Sequence, residues 1–251
     1  CGIAEQNMVG FAAGLAREGF TIFASSFAPF ISMRACEQVR MNLGYMREPV
    51  NLVALGSGLA MGFLGNSHFG LEDIAIMRSI PNLVIVSPAD PISIPKFIAA
   101  TAEYRGPCYI RLTGVPGSPS VYTEDYDLEI GRAILVTPKC SDLAIIASGS
   151  MVAQSLEARQ FLNMRGIDSS VYDFHTVWPL DESALLEIQK SHSHVVVVEE
   201  HFENGGLGSA ILEFFGSRNL KASILRVGID NAYVSPGEYF WMLEDLSLDA
   251  K

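Results

Sequence analysis

Three sets of side chains early in the chain could do chemistry. Glu5 precedes an apolar helical stretch at residues 8–16, and a carboxyl group in such surroundings has a raised pKa and can hold or share a proton. Phe27 and Phe30 follow an apolar run and could stack on a flat heterocycle. His68 lies in a glycine-rich loop, where it could transfer protons near neutral pH.

Each of these residues also has an ordinary structural interpretation. Glu5 could be a carboxylate at a helix N-terminus, where the helix dipole favours it. The two phenylalanine rings could belong to the hydrophobic core, and His68 could be a capping or surface residue. No GxGxxG, P-loop, HExxH or GxSxG motif accompanies them, so local patterns alone do not decide the function.

Short apolar runs alternate with amphipathic segments along the chain, which predicts an α/β protein. The apolar runs are continuous, as expected of strands buried on both faces of parallel sheets. The predicted strands are residues 21–25, 50–55, 83–87, 108–112, 143–147, 170–174, 194–199 and 223–227. The predicted helices are residues 5–16, 94–104, 151–165, 182–191 and 206–215.

A stretch rich in glycine, proline and acidic residues separates two such series, which is typical of a linker. We therefore predict two domains, at residues 1–115 and 130–251, each a mostly parallel sheet flanked by helices, with a linker at 116–129. The chain begins at Cys1 without an initiator methionine and runs directly into a helical pattern. Further residues are expected upstream, so the first domain would be incomplete at its N-terminus.

Composition narrows the classes of partner. Hydrophobic residues make up 49% of the 251 residues and charged residues 18%, enough apolar content for a sizeable core. The net charge of −11 without a lysine or arginine cluster argues against nucleic-acid binding. The longest weakly polar run, residues 52–65, is shorter than the roughly 20 residues of a membrane helix. We expect a cytoplasmic protein without a membrane partner.

The four cysteines predict neither a metal site nor disulfides. None forms a CxxC pair, and their spacing fits no zinc or disulfide framework. They are Cys1, Cys36, Cys108 and Cys140. Reduced thiols are the expectation for a cytosolic protein.

Several motifs, in this order, resemble the transketolase family, especially its split, two-subunit members. The first half has GIAEQ at residues 2–6, Ser67-His68 followed by LEDIAIMR at 71–78, and SPAD at 87–90. The second half has HTVWPLD at 175–181, and EEH at 199–201 followed by GGLGS at 205–209. The resemblance covers nearly the whole chain and implies a pyrimidine-binding domain followed by a transketolase C-terminal domain.

The resemblance implies a role for each candidate residue toward thiamine diphosphate. Glu5 matches the glutamate that hydrogen-bonds the aminopyrimidine ring, and a protonated Glu5 would favour the imino tautomer that can accept the thiazolium proton. Phe27 matches the ring that stacks on the pyrimidine, and Phe30 a neighbour that lines the pocket. Met33 stands where the family has a third aromatic residue and keeps its bulk. His68 matches a histidine near the reacting carbon. Glu5 and His68 are thus the implied catalytic residues.

The resemblance also implies a partner. The diphosphate half of the family site needs a GDG…N segment that holds Mg²⁺, and these residues contain none. An N-terminal-type transketolase subunit or domain would supply it, in an α2β2 assembly in which this chain also forms a homodimer. The implied reaction is transfer of a two-carbon ketol unit from a ketose-type donor to an aldehyde acceptor.

Some positions depart from the family pattern. Phe63 and Leu64 replace an acidic pair that contacts a sugar hydroxyl, and Gly56 or Ser57 replaces a histidine. The arginine that binds substrate phosphate would fall near Gly114, with Arg111 as a displaced substitute. An unphosphorylated or larger substrate, or another 2-oxo compound, is therefore an open alternative.

Other functions remain open at this stage. The chain could be the beta subunit of a 2-oxo-acid dehydrogenase, or a non-catalytic subunit that keeps the fold. A generic nucleotide-binding α/β protein is a fourth alternative. Outside the implied site, His175 is expected to be structural, and His201 with residues 205–208 to form a domain or dimer contact.

Overall fold

The computed structural model describes residues 1–140 and 142–251 and contains two five-stranded sheets flanked by helices. The strands are β1 (Ile22–Phe27), β2 (Val50–Leu55), β3 (Val84–Val86), β4 (Cys108–Arg111), β5 (Ile134–Leu135), β6 (Leu143–Ala147), β7 (Ser169–Asp173), β8 (Thr176–Trp178), β9 (His194–Phe202) and β10 (Ser223–Ile229). The helices are α1 (Glu5–Arg17), α2 (Cys36–Gln38), α3 (Asp73–Met77), α4 (Ile94–Glu103), α5 (Met151–Met164), α6 (Glu182–Ser191), α7 (Leu207–Ser217) and α8 (Tyr239–Asp245). The predicted α/β class is confirmed.

Both sheets are parallel except at one edge. The first has the order β1-β2-β4-β3-β8 and the second β10-β9-β6-β7-β5. The edge strands β8 and β5 pair antiparallel to β3 and β7. Strand β8 follows β7 in the chain but joins the first sheet, with Trp178 opposite Ile85. The two halves of the chain therefore share a sheet.

Helix α1 forms because its apolar residues recur at helical spacing. Val9, Ala12, Ala13 and Ala16 are buried against the first sheet, which is the i, i+3, i+4, i+7 pattern of an amphipathic helix. Residues 18–21 separate α1 from β1, so the chain reverses direction between them. The start of α1 consequently lies beside the end of β1.

Two wide helical turns of the π type follow β1, at Phe30–Arg34 and Val39–Tyr45. The amide of Ala35 donates to the carbonyl oxygen of Phe30 at 3.1 Å, five residues back. Such turns are uncommon and often occur at functional sites. The first of them carries Phe30 and Arg34, which belong to the site described below.

The largest hydrophobic cluster joins side chains from both sheets, including Leu52 and Ile85 from the first and Ile146 and Val197 from the second. The inner strands β3, β4, β6 and β7 are almost wholly buried, as continuous apolar runs predict, whereas the edge strands β1 and β10 are partly exposed. Within the described residues, no helix is both long and apolar enough to cross a membrane.

Candidate active site

Three of the predicted rings meet at the carboxyl edge of the first sheet. The ring centroids of Phe27 and Phe30 lie 5.9 Å apart, and His68 lies 5.7 Å from Phe27 and 5.2 Å from Phe30. All three pairs are edge-to-face, the arrangement that aromatic quadrupoles favour. Clefts at this edge of parallel sheets are the usual position of ligand sites in open α/β folds.

Glu5 is the first residue of α1, and its side chain reaches the same edge. The residue is only 6% exposed. Its Oε1 accepts a hydrogen bond from the Ser26 hydroxyl at 3.1 Å, and its Oε2 accepts one from the Arg34 guanidinium at 2.8 Å. The structure therefore brings Glu5 to the strand that ends in Phe27.

The apolar neighbours of Glu5 predict a raised carboxyl pKa, but the structure gives a lowered one. The hydrogen bond from Arg34 lowers the pKa of Glu5 below its ordinary value, and this outweighs burial, which acts to raise it. The prediction of a raised pKa is wrong for the chain by itself. The reason is an opposite charge at hydrogen-bond distance, which favours the ionised carboxylate.

Arg34 is the site residue that sequence reasoning missed. Its guanidinium carbon lies 4.3 Å from the centroid of the Phe30 ring, while 45% of its side chain stays exposed. The family pattern drew attention to the preceding residue, Met33, which the structure leaves 43% exposed. The helical conformation of Phe30–Arg34 explains the difference, because residues four apart in a helix lie on the same face. A cofactor role for Met33 stays a prediction.

The loop before His68 is held from both sides. The His68 amide donates to the Gly65 carbonyl at 2.8 Å, and Gly65 has a φ of 68°, a conformation that glycine adopts readily. Asn66 exchanges two hydrogen bonds with the backbone of Val234, at 2.8 and 3.1 Å. The second half of the chain thus fixes the loop that presents His68.

The two apolar residues that replace the family's acidic pair are on the surface of this loop. Phe63 is 84% exposed and Leu64 48% exposed. Neither supplies a carboxylate to a sugar hydroxyl. The loop offers apolar contact at a place where polar contact was expected from the resemblance.

Arg111 does not face the pocket. It is 1% exposed, and its Nε donates to the two carboxylate oxygens of Asp73 at 3.1 and 2.9 Å. Its Nη2 donates to the carbonyls of Gly70 and Glu200. A role as the displaced phosphate-binding residue is therefore wrong, because the guanidinium is buried, paired with Asp73 and hydrogen-bonded to the Glu200 carbonyl of the second half.

His201 and the glycine turn join the halves in the same region. The Ala75 amide donates to His201 Nε2 at 3.4 Å, and Arg78 Nε donates to the Gly205 carbonyl at 2.5 Å. Burial lowers the pKa of His201 to about 4, so it is neutral at physiological pH. The predicted domain contact at this segment is confirmed.

The side chains at this edge have the chemistry that suits the pyrimidine half of thiamine diphosphate. Glu5 and Phe30 already hold a flat cation between them, the Arg34 guanidinium, by hydrogen bonding and stacking. An aminopyrimidine ring is likewise flat and has N–H donors, so the same two side chains suit it.

Comparison with known proteins agrees with this geometry. The family "Transketolase, pyrimidine binding domain" matches residues 1–114, and "Transketolase, C-terminal domain" matches residues 131–251. The chain belongs to the transketolase family. The resemblance predicted from the sequence motifs is confirmed.

Relatives from split systems align over nearly the whole chain. A putative transketolase C-terminal section from Methanocaldococcus jannaschii is 40% identical over 253 residues, covering 100% of this chain and 78% of that protein. One of the subunits of the apulose-4-phosphate transketolase of Actinobacillus succinogenes is 36% identical, covering 99% of this chain and 80% of that protein. These transketolase relatives favour ketol transfer over the 2-oxo-acid dehydrogenase alternative.

Solved structures of transketolases also superimpose on the chain. A split-gene transketolase, described as an inactive β4 tetramer, superimposes with a TM-score of 0.87 at 37% identity, covering 99% of this chain and 78% of that one. The transketolase of Campylobacter jejuni shares the fold, with a TM-score of 0.76 at 19% identity over 98% of this chain and 37% of that one.

Proposed function

We propose that the chain is a subunit of a thiamine-diphosphate-dependent transketolase that transfers a two-carbon ketol unit from a ketose donor to an aldehyde acceptor. The observation that carries the proposal is the meeting of Glu5, Phe27, Phe30 and His68 at one edge of the first sheet. A carboxyl group, a stacking ring with a second ring beside it, and an imidazole that can transfer protons are groups that suit this half of the cofactor and the chemistry next to it.

Each residue has a separate task. When bound, thiamine diphosphate would supply the carbon nucleophile and the electron sink that ketol transfer needs. Glu5 hydrogen-bonds the pyrimidine ring and shares a proton with it. Phe27 holds that ring by stacking, and Phe30, whose ring is nearly perpendicular to that of Phe27, lines the space beside it. His68 lies within ring contact of both and transfers protons to and from substrate oxygens.

A partner polypeptide would hold the diphosphate and Mg²⁺. Support comes from the relatives, one of which is named a C-terminal section and another a transketolase subunit. The structural neighbour made of beta subunits alone is described as inactive. We infer an assembly of two such partner subunits with two copies of this chain, in the cytoplasm.

The substrate class follows from the loop and from Arg111. Phe63 and Leu64 present apolar surface beside the site, and Arg111 is buried in an ion pair. Relatives are named for apulose-4-phosphate and for 6-deoxy-6-sulfo-D-fructose, which are anionic sugars of unequal shape. We propose a ketose with fewer hydroxyl contacts at the Phe63 loop than the common pentose phosphates make.

The first experiment measures ketol transfer by the chain combined with a GDG…N-bearing transketolase subunit. Glu5→Gln removes the shared proton, and we expect a loss of about 10²–10⁴-fold in turnover. Glu18→Gln is the matched control, because it makes the same substitution at the exposed other end of α1. Unchanged turnover in Glu5→Gln would favour a non-catalytic subunit.

The second experiment tests the shared site. Thiamine diphosphate with Mg²⁺ is titrated into the chain alone and into the combined subunits. We expect tight binding only in the combination, and tight binding by the chain alone would refute a diphosphate site on another polypeptide. Turnover of a branched 2-oxo acid with no turnover of any ketose would instead support the dehydrogenase alternative.

A further inference from the structure

The Arg34 side chain occupies the Glu5 carboxylate and one face of Phe30, the two groups beside which the aminopyrimidine ring would lie. Its guanidinium lies 4.3 Å from the Phe30 centroid and donates to Glu5 Oε2 at 2.8 Å. A guanidinium resembles an aminopyrimidine in being planar, rich in N–H donors and able to stack on an aromatic face. The guanidinium and an aminopyrimidine ring cannot both contact the same face of Phe30 and the same oxygen of Glu5 at once.

The arrangement also fixes the chemistry of the carboxyl group. With Ser26 on Oε1 and Arg34 on Oε2, both oxygens accept hydrogen bonds from this chain. The ion pair keeps the carboxylate ionised, so Glu5 has no proton to share with a ring nitrogen. Since 45% of the Arg34 side chain is exposed, the guanidinium can leave toward solvent without being buried elsewhere.

No other charge on the packed elements competes with Arg34 for Glu5 in the described part of the chain. Strands β1 and β2 present no charged side chain. Helix α2 and the second wide turn contribute Glu37 and Arg40, which pair with each other at 3.0 Å on the surface. Arg17 lies at the far end of α1. Arg34 is accordingly the charge that acts on the carboxyl group.

We propose that Arg34 is a positioning residue that takes the place of the aminopyrimidine ring in the unloaded subunit and leaves Glu5 when that ring enters, so that cofactor binding is coupled to uptake of one proton by Glu5. The inference rests on the proposed function. The proton comes from solvent, and Arg34 keeps its charge.

The sign of the pH dependence follows from linkage. Arg34 lowers the pKa of Glu5 in the unloaded chain, so the carboxylate is ionised at neutral pH and gains a proton on binding. Affinity for the cofactor therefore falls as pH rises. Arg34→Met removes the donor and leaves burial, which raises the resting pKa. The range of pH over which binding takes up a proton then begins at a higher pH.

The test titrates thiamine diphosphate, at saturating Mg²⁺, into the combined subunits in two buffers of different ionisation enthalpy across a range of pH. We expect the wild type to take up about one proton near neutral pH, and Glu5→Gln to take up none. Arg34→Met should bind roughly three- to tenfold tighter, because no partly exposed ion pair has to be broken. Arg40→Met, an arginine paired outside the site, should behave as wild type.

A second measurement uses the chain alone. The Glu5 carboxyl pKa, followed by NMR with labelled glutamate, should lie below the ordinary value in wild type and above the wild-type value in Arg34→Met. Binding without proton uptake, or an Arg34→Met variant with wild-type affinity and pKa, would overturn the inference and leave the proposed function standing. Failure of the wild-type subunits to bind the cofactor at all would overturn both.

Discussion

Replacing Arg111 by methionine should destabilise the chain severely, although the site is elsewhere. Arg111 and Asp73 are 1% and 0% exposed, and their ion pair spans 2.9 Å. The variant keeps much of the side-chain volume but removes every donor. Asp73 then retains the hydroxyl of Tyr109, at 3.0 Å, as its donor among the hydrogen bonds of the described residues. Breaking one partner of a buried pair costs about 3–5 kcal/mol.

The upper part of that range is the better estimate, because the Glu200 carbonyl loses the Arg111 donor as well. A buried acceptor left without a donor adds about 1–3 kcal/mol in the least relaxed case, whereas the Gly70 carbonyl still accepts from the Gly58 amide at 2.9 Å. For a chain of 251 residues, a loss of this size should lower the melting temperature by roughly 10–15 °C. The free energy of unfolding is measured by urea denaturation, followed by circular dichroism.

Two further variants separate charge from packing. Asp73→Asn combined with Arg111→Met removes the uncompensated carboxylate and should recover about 2 kcal/mol or more. Arg40→Met, from an exposed pair, should change stability by less than about 0.5 kcal/mol. If Arg111→Met alone lost less than about 1 kcal/mol, the assignment of a stabilising buried ion pair between Arg111 and Asp73 would be refuted.

Two more predictions concern the second half of the chain. Gly206→Ala should destabilise the fold by more than about 1 kcal/mol, because its Cβ would overlap Glu199 Oε2. The control is Gly216→Ala in α7, where a Cβ meets open space; it should be neutral or slightly stabilising. Equal urea midpoints for the two variants would contradict this prediction. Burial raises the pKa of Asp173 to about 7, so the folded state binds a proton that the unfolded state has lost. This difference makes the free energy of unfolding fall as pH rises from about 4 to about 7. Asp173→Asn should therefore flatten the dependence of that free energy on pH over this range. An unaltered dependence would show that Asp173 does not titrate there.

The sheets were largely predictable from the sequence because buried parallel strands give continuous apolar runs. The predicted runs at β2 and β6 have the same limits as the strands, and the helical pattern of α6 does too. Strands β5 and β8 were missed because two and three residues give no readable alternation. Their pairing depends on tertiary contacts rather than on local pattern.

The residues of the site were predictable from the sequence, but the ion pair between Glu5 and Arg34 and its effect on the Glu5 pKa were not. Residue order along the chain identified Glu5, Phe27, Phe30 and His68, and the strand ends bring them together. Arg34 was missed because no helix was predicted at residues 30–34, and without one Arg34 and Phe30 are not expected on the same face. The wrong pKa for Glu5 has the same origin, because the ion pair that lowers it comes from that segment.

The path of strand β8 limits how proteins of this kind can be recombined. Its three residues leave the second half of the chain and complete the edge of the first sheet beside β3, whose side chains are all buried. A first half produced separately would have an apolar edge open to pairing with other chains, which promotes aggregation. A chimera built by exchanging halves between relatives therefore has to match this donated strand to its new acceptor.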